Sequence, residues 1–208
     1  AADAVIIPVS GKSSISVGTE NAWNYAKELG LPVVFFINKV DDENSNYKQV
    51  IQDLNDTFGK TVIPFVVPAM SNDGKMEGFI DVMRLKGKQS KGKDVTDWDI
   101  PDPDDPKLSK YRDMINDAIA ETDDELMEKY FAGEEFTEDE IKAALKIGIK
   151  DGTVVPVICG SVNAKIGITH LLNTIADYMP APNEFSYIEG ENKKTGDIEE
   201  IICDSAKK

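Results

Sequence analysis

Histidine is almost missing from this sequence: His170 is the only one, and its neighbours Leu171 and Leu172 are expected to take the core side of a helix. That leaves His170 facing solvent, away from acid–base work. Cysteine is nearly as scarce. Cys159 and Cys203 are too few for a disulfide framework, and Cys159 reads as a small buried strand residue. No apolar run is long enough to span a membrane, and no secretory segment is seen. Basic side chains are in deficit, 23 against 38 acidic ones among 208 residues, for a net charge of -15. Such a chain has no general attraction to nucleic acid or to an anionic membrane, so neither direct DNA binding nor membrane association is expected. Any RNA contact has to come from local patches or from outside this segment. An initiator methionine is absent as well, and Ala1-Ala2-Asp3 runs almost directly into the apolar stretch Ala4 to Val9, as in a segment taken from inside a fold. A cytoplasmic protein is the expectation.

What is present suffices for a core, since 41% of the residues are hydrophobic. Ala4 to Val9, Pro32 to Ile37 and Val154 to Cys159 are short continuous apolar runs rich in β-branched or aromatic residues, as strands buried on both faces require. Each is followed by a helical pattern. The first carries Ala22, Trp23, Ala26 and Leu29, with Trp23 as a packing anchor. The second carries Tyr47, Val50, Ile51, Leu54 and Phe58, and the third Ile168, Leu171, Leu172, Ile175 and Met179 before Pro180. Strand followed by helix, three times over, predicts an α/β fold on a parallel sheet.

Residues 61–152 break that rhythm and read as an inserted α+β subdomain. Val62 to Val67 and Phe79 to Leu85 are expected as strands of a separate small sheet, followed by a polar connection from Lys86 to Pro106 and two helices. One helix is entered by Asp105-Pro106, a cap residue with proline at the first helical position; the other starts at Thr137, with Glu140 at capping-box spacing. The expected organisation is residues 1–60 and 153–183 as one α/β unit, 61–152 as the insertion, and 184–208 as a linker towards a further domain.

The sharpest chemical signal is Asn38-Lys39-Val40-Asp41, at the carboxyl end of the second strand, where open α/β sheets hold their ligands. Guanine presents two neighbouring donors on its Watson–Crick edge, and an ionised aspartate accepts both; adenine places an acceptor there instead. Asp41 is therefore the candidate for base selection. Lys39 is expected to lay its apolar stem along the purine, and Asn38 to tie its loop to a neighbour through the amide. The alternative is that these are ordinary turn residues after a strand. A second element, Cys159-Gly160-Ser161-Val162, stands at the end of the third strand, where a tight turn exposes backbone N–H groups suited to the guanine O6.

Together with Val17-Gly18-Thr19-Glu20-Asn21-Ala22-Trp23, these segments resemble elongation factor G and its close paralogues. The resemblance continues through Phe58-Gly59-Lys60, Asp124-Glu125-Leu126-Met127-Glu128-Lys129-Tyr130 and Thr137-Glu138-Asp139-Glu140-Ile141-Lys142-Ala143-Ala144-Leu145, reaching about Asn183. It implies the distal half of a P-loop-GTPase-type domain with an inserted subdomain, in a translational GTPase that turns GTP into GDP and phosphate on the ribosome. It also implies guanine binding by Asn38, Lys39, Asp41, Ser161 and Val162, and Mg2+ whose ligands lie upstream of residue 1. The sequence departs from the family at Val162, where alanine is usual, at Asp42, where arginine is usual, and at Val9-Ser10-Gly11-Lys12-Ser13-Ser14, where an Asp-Ala sequence is usual. These departures favour a diverged paralogue. Ribosome-protection and release-factor GTPases, or a module that binds guanine nucleotide or a ribosomal partner without turnover, are the alternatives.

Two look-alikes are set aside. Gly11-Lys12-Ser13 imitates the end of a phosphate loop, but the spacing would put its first glycine at Ile6, inside a strand. Asp56-Thr57-Phe58-Gly59 matches a γ-phosphate loop but closes an amphipathic helix, for which Gly59 is a C-cap. With no phosphate loop, magnesium ligand or water-positioning residue, no catalytic residue is assigned and the segment alone is expected not to hydrolyse GTP. Glu121 to Glu140 holds ten acidic residues and one lysine. Such a run is ordinarily a solvated helical face; the family implies instead that Glu134, Glu135, Glu138 and Asp139 meet the ribosomal stalk protein.

Overall fold

The computed structural model describes residues 2–70, 76–91, 94–100, 102–181 and 187–202. Chain order runs β1 (Val5–Ser10), α1 (Val17–Glu28), β2 (Val33–Asn38), α2 (Tyr47–Phe58), β3 (Val62–Pro64), β4 (Val66–Met70), β5 (Met76–Asp81), β6 (Lys86–Lys91) and β7 (Asp94–Trp98). It continues with α3 (Pro106–Ala120), α4 (Asp124–Phe131), α5 (Glu138–Asp151), β8 (Val155–Cys159), α6 (Ile168–Tyr178), β9 (Tyr187–Glu191) and β10 (Ile198–Ile202).

The three apolar runs do form a parallel sheet, in the order β1-β2-β8-β3. Register aligns the strand ends: Ser10 pairs with Asn38, and Ile37 with Cys159. Three loops therefore leave the sheet side by side. Val33 to Ile37 and all of β8 are buried, as strands covered on both faces must be. Trp23 of α1, Phe35 of β2 and Phe58 of α2 lock the helices onto the sheet, with ring centroids 4.8 to 5.6 Å apart. Aromatic pairs at such spacing add about 0.5–1.5 kcal/mol each beyond the area they bury. Phe58 thus belongs to the core, and α2 closes at Gly59 with φ 97°, so Asp56-Thr57-Phe58-Gly59 is a helix end.

The intervening segment differs from the sequence expectation in several places. Val62 to Val67 is not one strand of a separate sheet: β3 stays in the parallel sheet beside β8, and β4 opens an antiparallel sheet ordered β4-β5-β6-β7. The break falls at Pro64-Phe65, because Pro64 has no N–H to continue the ladder. Phe65 bridges the two sheets, donating to Val157 O at 3.0 Å and accepting from Val82 N–H at 3.0 Å. Within Lys86 to Pro106 the expected connection is instead the hairpin β6–β7, with Gly87 opposite Trp98. Its residues are mostly polar, so its composition does not announce a strand. Three helices follow where two were expected, the extra one being α4, capped by Asp123.

The predicted caps are formed. Asp105 Oδ1 accepts from Lys107 N–H at 2.8 Å, with Pro106 in the first helical turn, and Thr137 with Glu140 makes a capping box. In α6 the expected face packs inward at Ile168, Leu171, Ile175 and Met179, joined by Thr174 and Tyr178, whereas Leu172 is 58% exposed. His170 is not a solvent-facing residue. Its ring lies 5.9 Å from that of Phe79, and burial pushes the imidazole pKa below its ordinary value. Phe79 of the antiparallel sheet covers His170, a contact that no local pattern in α6 encodes. Part of the expected linker, residues 187–202, is the antiparallel hairpin β9–β10, whose strand β10 is exposed along its length. Residues 184–186 and 203–208, including Cys203, lie outside the described residues. Among the described residues no helix is long and apolar enough to cross a membrane.

Candidate functional site

The three loops at the carboxyl ends of β1, β2 and β8 surround a cleft of about 570 Å³ lined by Lys12, Lys39, Asp41, Asp42, Glu43, Asn44, Ser161 and Asn163. Its wall is almost wholly polar, unlike an apolar small-molecule pocket. Asn38 is the keystone. Its Oδ1 accepts from Lys39 N–H at 2.9 Å and from Val162 N–H at 3.0 Å, so one side chain ties the two loops together, as its expected role requires. The backbone adds Val40 N–H to Gly160 O at 3.3 Å and Gly160 N–H to Ile37 O at 2.9 Å.

Lys39 has φ 65°, a left-handed backbone that reverses the chain and turns it into the cleft. Asp41 is exposed, and among the described residues no protein donor engages its carboxylate. Asp42 is held: its carboxyl pKa is lowered by the Asn44 N–H and by Lys12, whose Nζ lies 3.0 Å from Oδ2.

Gly160 permits the last loop. A Cβ there would stand 2.6 Å from Ile166 O and 3.0 Å from Phe36 Cζ. Ser161 is buried and closes the turn, its N–H donating to Ile166 O at 2.9 Å and its Oγ accepting from Ala164 N–H at 3.3 Å. The amides of Ser161 and Val162 are thus both engaged by protein acceptors, which differs from the picture of two open donors. Asn163 N–H has no protein acceptor among the described residues, and the Val162 side chain is 53% exposed.

Asn38, Lys39, Asp41, Ser161 and Val162 are therefore brought together by the fold, although the first three precede the whole intervening segment and the last two follow it. Glu134, Glu135, Glu138 and Asp139 belong elsewhere, exposed in the α4–α5 connection and the first turn of α5. Sequence reasoning missed Lys12 and Asn163 as cleft residues. The signal for Lys12 is its place just after a strand end: Gly11-Lys12-Ser13 is no phosphate loop, yet its lysine lines the cleft. Among the described residues no group of three or more His, Cys, Asp or Glu side chains is arranged to hold a metal.

A parallel α/β sheet carrying two interlocked loops at adjacent strand ends, one of them Asn-Lys-x-Asp, defines the nucleotide-binding class to which P-loop GTPases belong. The model of the elongation factor Tu GTP-binding domain matches residues 1–181, and the chain belongs to that family, as a translational GTPase domain resembling elongation factor G. A solved structure from Thermus thermophilus is similar to it, with 33% sequence identity and a TM-score of 0.80. That match covers 88% of this chain and 27% of the other, so the chain spans about a quarter of the protein it matches.

Proposed function

We propose that the cleft is the guanine-reading site of a ribosome-dependent translational GTPase of the elongation-factor-G type, a diverged paralogue within it. The observation that carries this reading is the pair of hydrogen bonds at Asn38 Oδ1, which joins the two loops while Asp41 stays free for a ligand. In this reading Asp41 accepts the two guanine donors, and the stem of Lys39 covers the purine face. Asn38 and Ser161 hold the frame, the Val162 amide locks onto Asn38, and the Asn163 N–H is the loop donor left for the O6. Residues 1–64 and 153–181 form the nucleotide-reading unit, and 66–152 the inserted subdomain. GTP, and the magnesium that accompanies its phosphates, then need residues beyond those of this cleft, so this chain alone does not turn over GTP. Lys12 offsets Asp42, and Val162 points outward, so neither departure from the family obstructs binding.

GTP turnover by the intact polypeptide, with and without ribosomes, beside an Asp41→Asn variant, tests the proposal. Ribosome-stimulated turnover that the variant loses is the expected result; measurable GDP binding without turnover in either condition would favour a non-hydrolysing module instead. Turnover by the 208-residue chain alone, abolished by Asp41→Ala, would refute its inactivity.

The acidic face at Glu134, Glu135, Glu138 and Asp139 is proposed as the contact for the ribosomal stalk protein, with Phe131 exposed beside it. Neutralising all four carboxylates should weaken stalk binding and flatten its salt dependence. Unchanged affinity would remove this assignment.

A further inference from the structure

The turn that ends β1 is joined to the Asp41 loop by more than the sheet ladder. Gly11 N–H donates to Asn38 O at 2.8 Å, and Asn46 N–H donates back to Gly11 O at 2.9 Å. Ser45 Oγ stands where a Gly11 Cβ would be, so a larger residue would have to displace Ser45 and crowd Asn38 O. From that anchored turn Lys12 Nζ reaches Asp42 Oδ2 at 3.0 Å, while Asp42 Oδ1 accepts from Asn44 N–H at 3.0 Å.

Asp42 is the residue directly after Asp41, which has no protein partner of its own among the described residues. Fixing Asp42 at both oxygens limits how far the peptide carrying Asp41 can rotate. The same ammonium also offsets a second negative charge beside the one that would select the base. Lys12, Asp41 and Asp42 all line the one cleft.

We propose that Lys12 is a positioning residue for base selection, holding Asp41 at the cleft through Asp42. The inference rests on the guanine-site reading above. Lys12 acts here on the purine edge and not on the phosphates, which distinguishes it from the lysine of a phosphate loop.

The test compares GDP with inosine diphosphate, which lacks the 2-amino donor, by titration calorimetry on the intact polypeptide. The wild type is set beside Lys12→Ala, Lys12→Arg, Asp42→Ala, the Lys12→Ala/Asp42→Ala double variant and Asp41→Asn. An exposed ion pair of this kind corresponds to a factor of about two to five in affinity. Lys12→Ala and Asp42→Ala should each weaken GDP by that factor and inosine diphosphate, which keeps only the N1–H donor for Asp41, by distinctly less. The double variant should be no weaker than either single one, and Lys12→Arg should restore GDP.

Equal weakening of both nucleotides by Lys12→Ala would overturn the proposal, as a phosphate contact or loss of folding would produce. So would additive single effects. If Asp41→Asn collapses the discrimination between the two nucleotides while Lys12→Ala leaves it intact, this inference alone fails. If the wild type does not discriminate, or Asp41→Asn changes nothing, the guanine-site reading fails and takes this one with it.

Discussion

Asp41 and Gly160 act at the cleft in opposite ways, one by offering a free carboxylate and the other by offering no side chain at all. Replacing the Asp41 carboxylate by the carboxamide of asparagine turns one acceptor into a donor. That donor faces the guanine 2-amino group but suits the carbonyl that xanthine carries there. A bidentate pair is worth about 1–3 kcal/mol of discrimination. Asp41→Asn should therefore lose GDP and gain xanthosine diphosphate, measured by competition between the two. Gly160→Ala sets a methyl against Ile166 O and the Phe36 ring, contacts that would be 2.6 and 3.0 Å. Overpacking of this sort costs about 1–3 kcal/mol. Because the loop has to move to relieve it, the expected outcome is a lower unfolding temperature together with weaker GDP binding. Loss of stability with unaltered binding would show that the loop does not read the base.

At the scale of elements, the start of α5 is held electrostatically as well as by its backbone. The Glu140 carboxylate accepts from Lys129 Nζ at 2.8 Å and from Thr137 N–H at 2.7 Å, and these contacts, Lys129 foremost, lower its pKa to about 2 from an ordinary 4.5. A depressed carboxylate pKa contributes stability that is fully present above the unfolded value and is lost as pH falls through the folded one. Amide protection factors across α4 and α5, referred to the intrinsic exchange rate at each pH, should thus fall between about pH 4.5 and 2, where protonation releases Lys129 and opens the capping box. Glu140→Gln should flatten that dependence. A profile indifferent to the substitution would mean that other carboxylates govern the acid limb.

Across the whole molecule the net charge of -15 sets a field that opposes an anionic ligand. Lys12 and Lys39 are the cleft's own cations, and Asp42 already engages one of them. The long-range repulsion should therefore dominate encounter, so that GDP associates faster as ionic strength rises from about 0.01 to 0.15 M and the screening length shrinks from about 30 to 8 Å. Stopped-flow association rates measure this directly. A rate that falls with salt would show that the two lysines prevail locally.

The parallel sheet is legible in the residues alone, because strands buried on both faces need unbroken apolar runs and Val33 to Ile37 and Val155 to Cys159 supply them. So are the caps at Asp105 and Thr137, which are local chemistry within a single turn. Asn-Lys-x-Asp was readable for the same reason, four adjacent residues with one chemical logic. Whatever depends on residues distant in the chain is settled only when the chain folds. Asn38 meets the Val162 amide only because β2 and β8 are neighbours in register, and His170 is covered only because Phe79 of another sheet reaches it. Strand β3 could not be separated from β4 by periodicity, since both are apolar and only their ladder partners differ. Lys12 became a cleft residue through a 3.0 Å contact with Asp42, thirty positions away, a pairing that no local pattern specifies because exposed charges leave no hydrophobic period behind them.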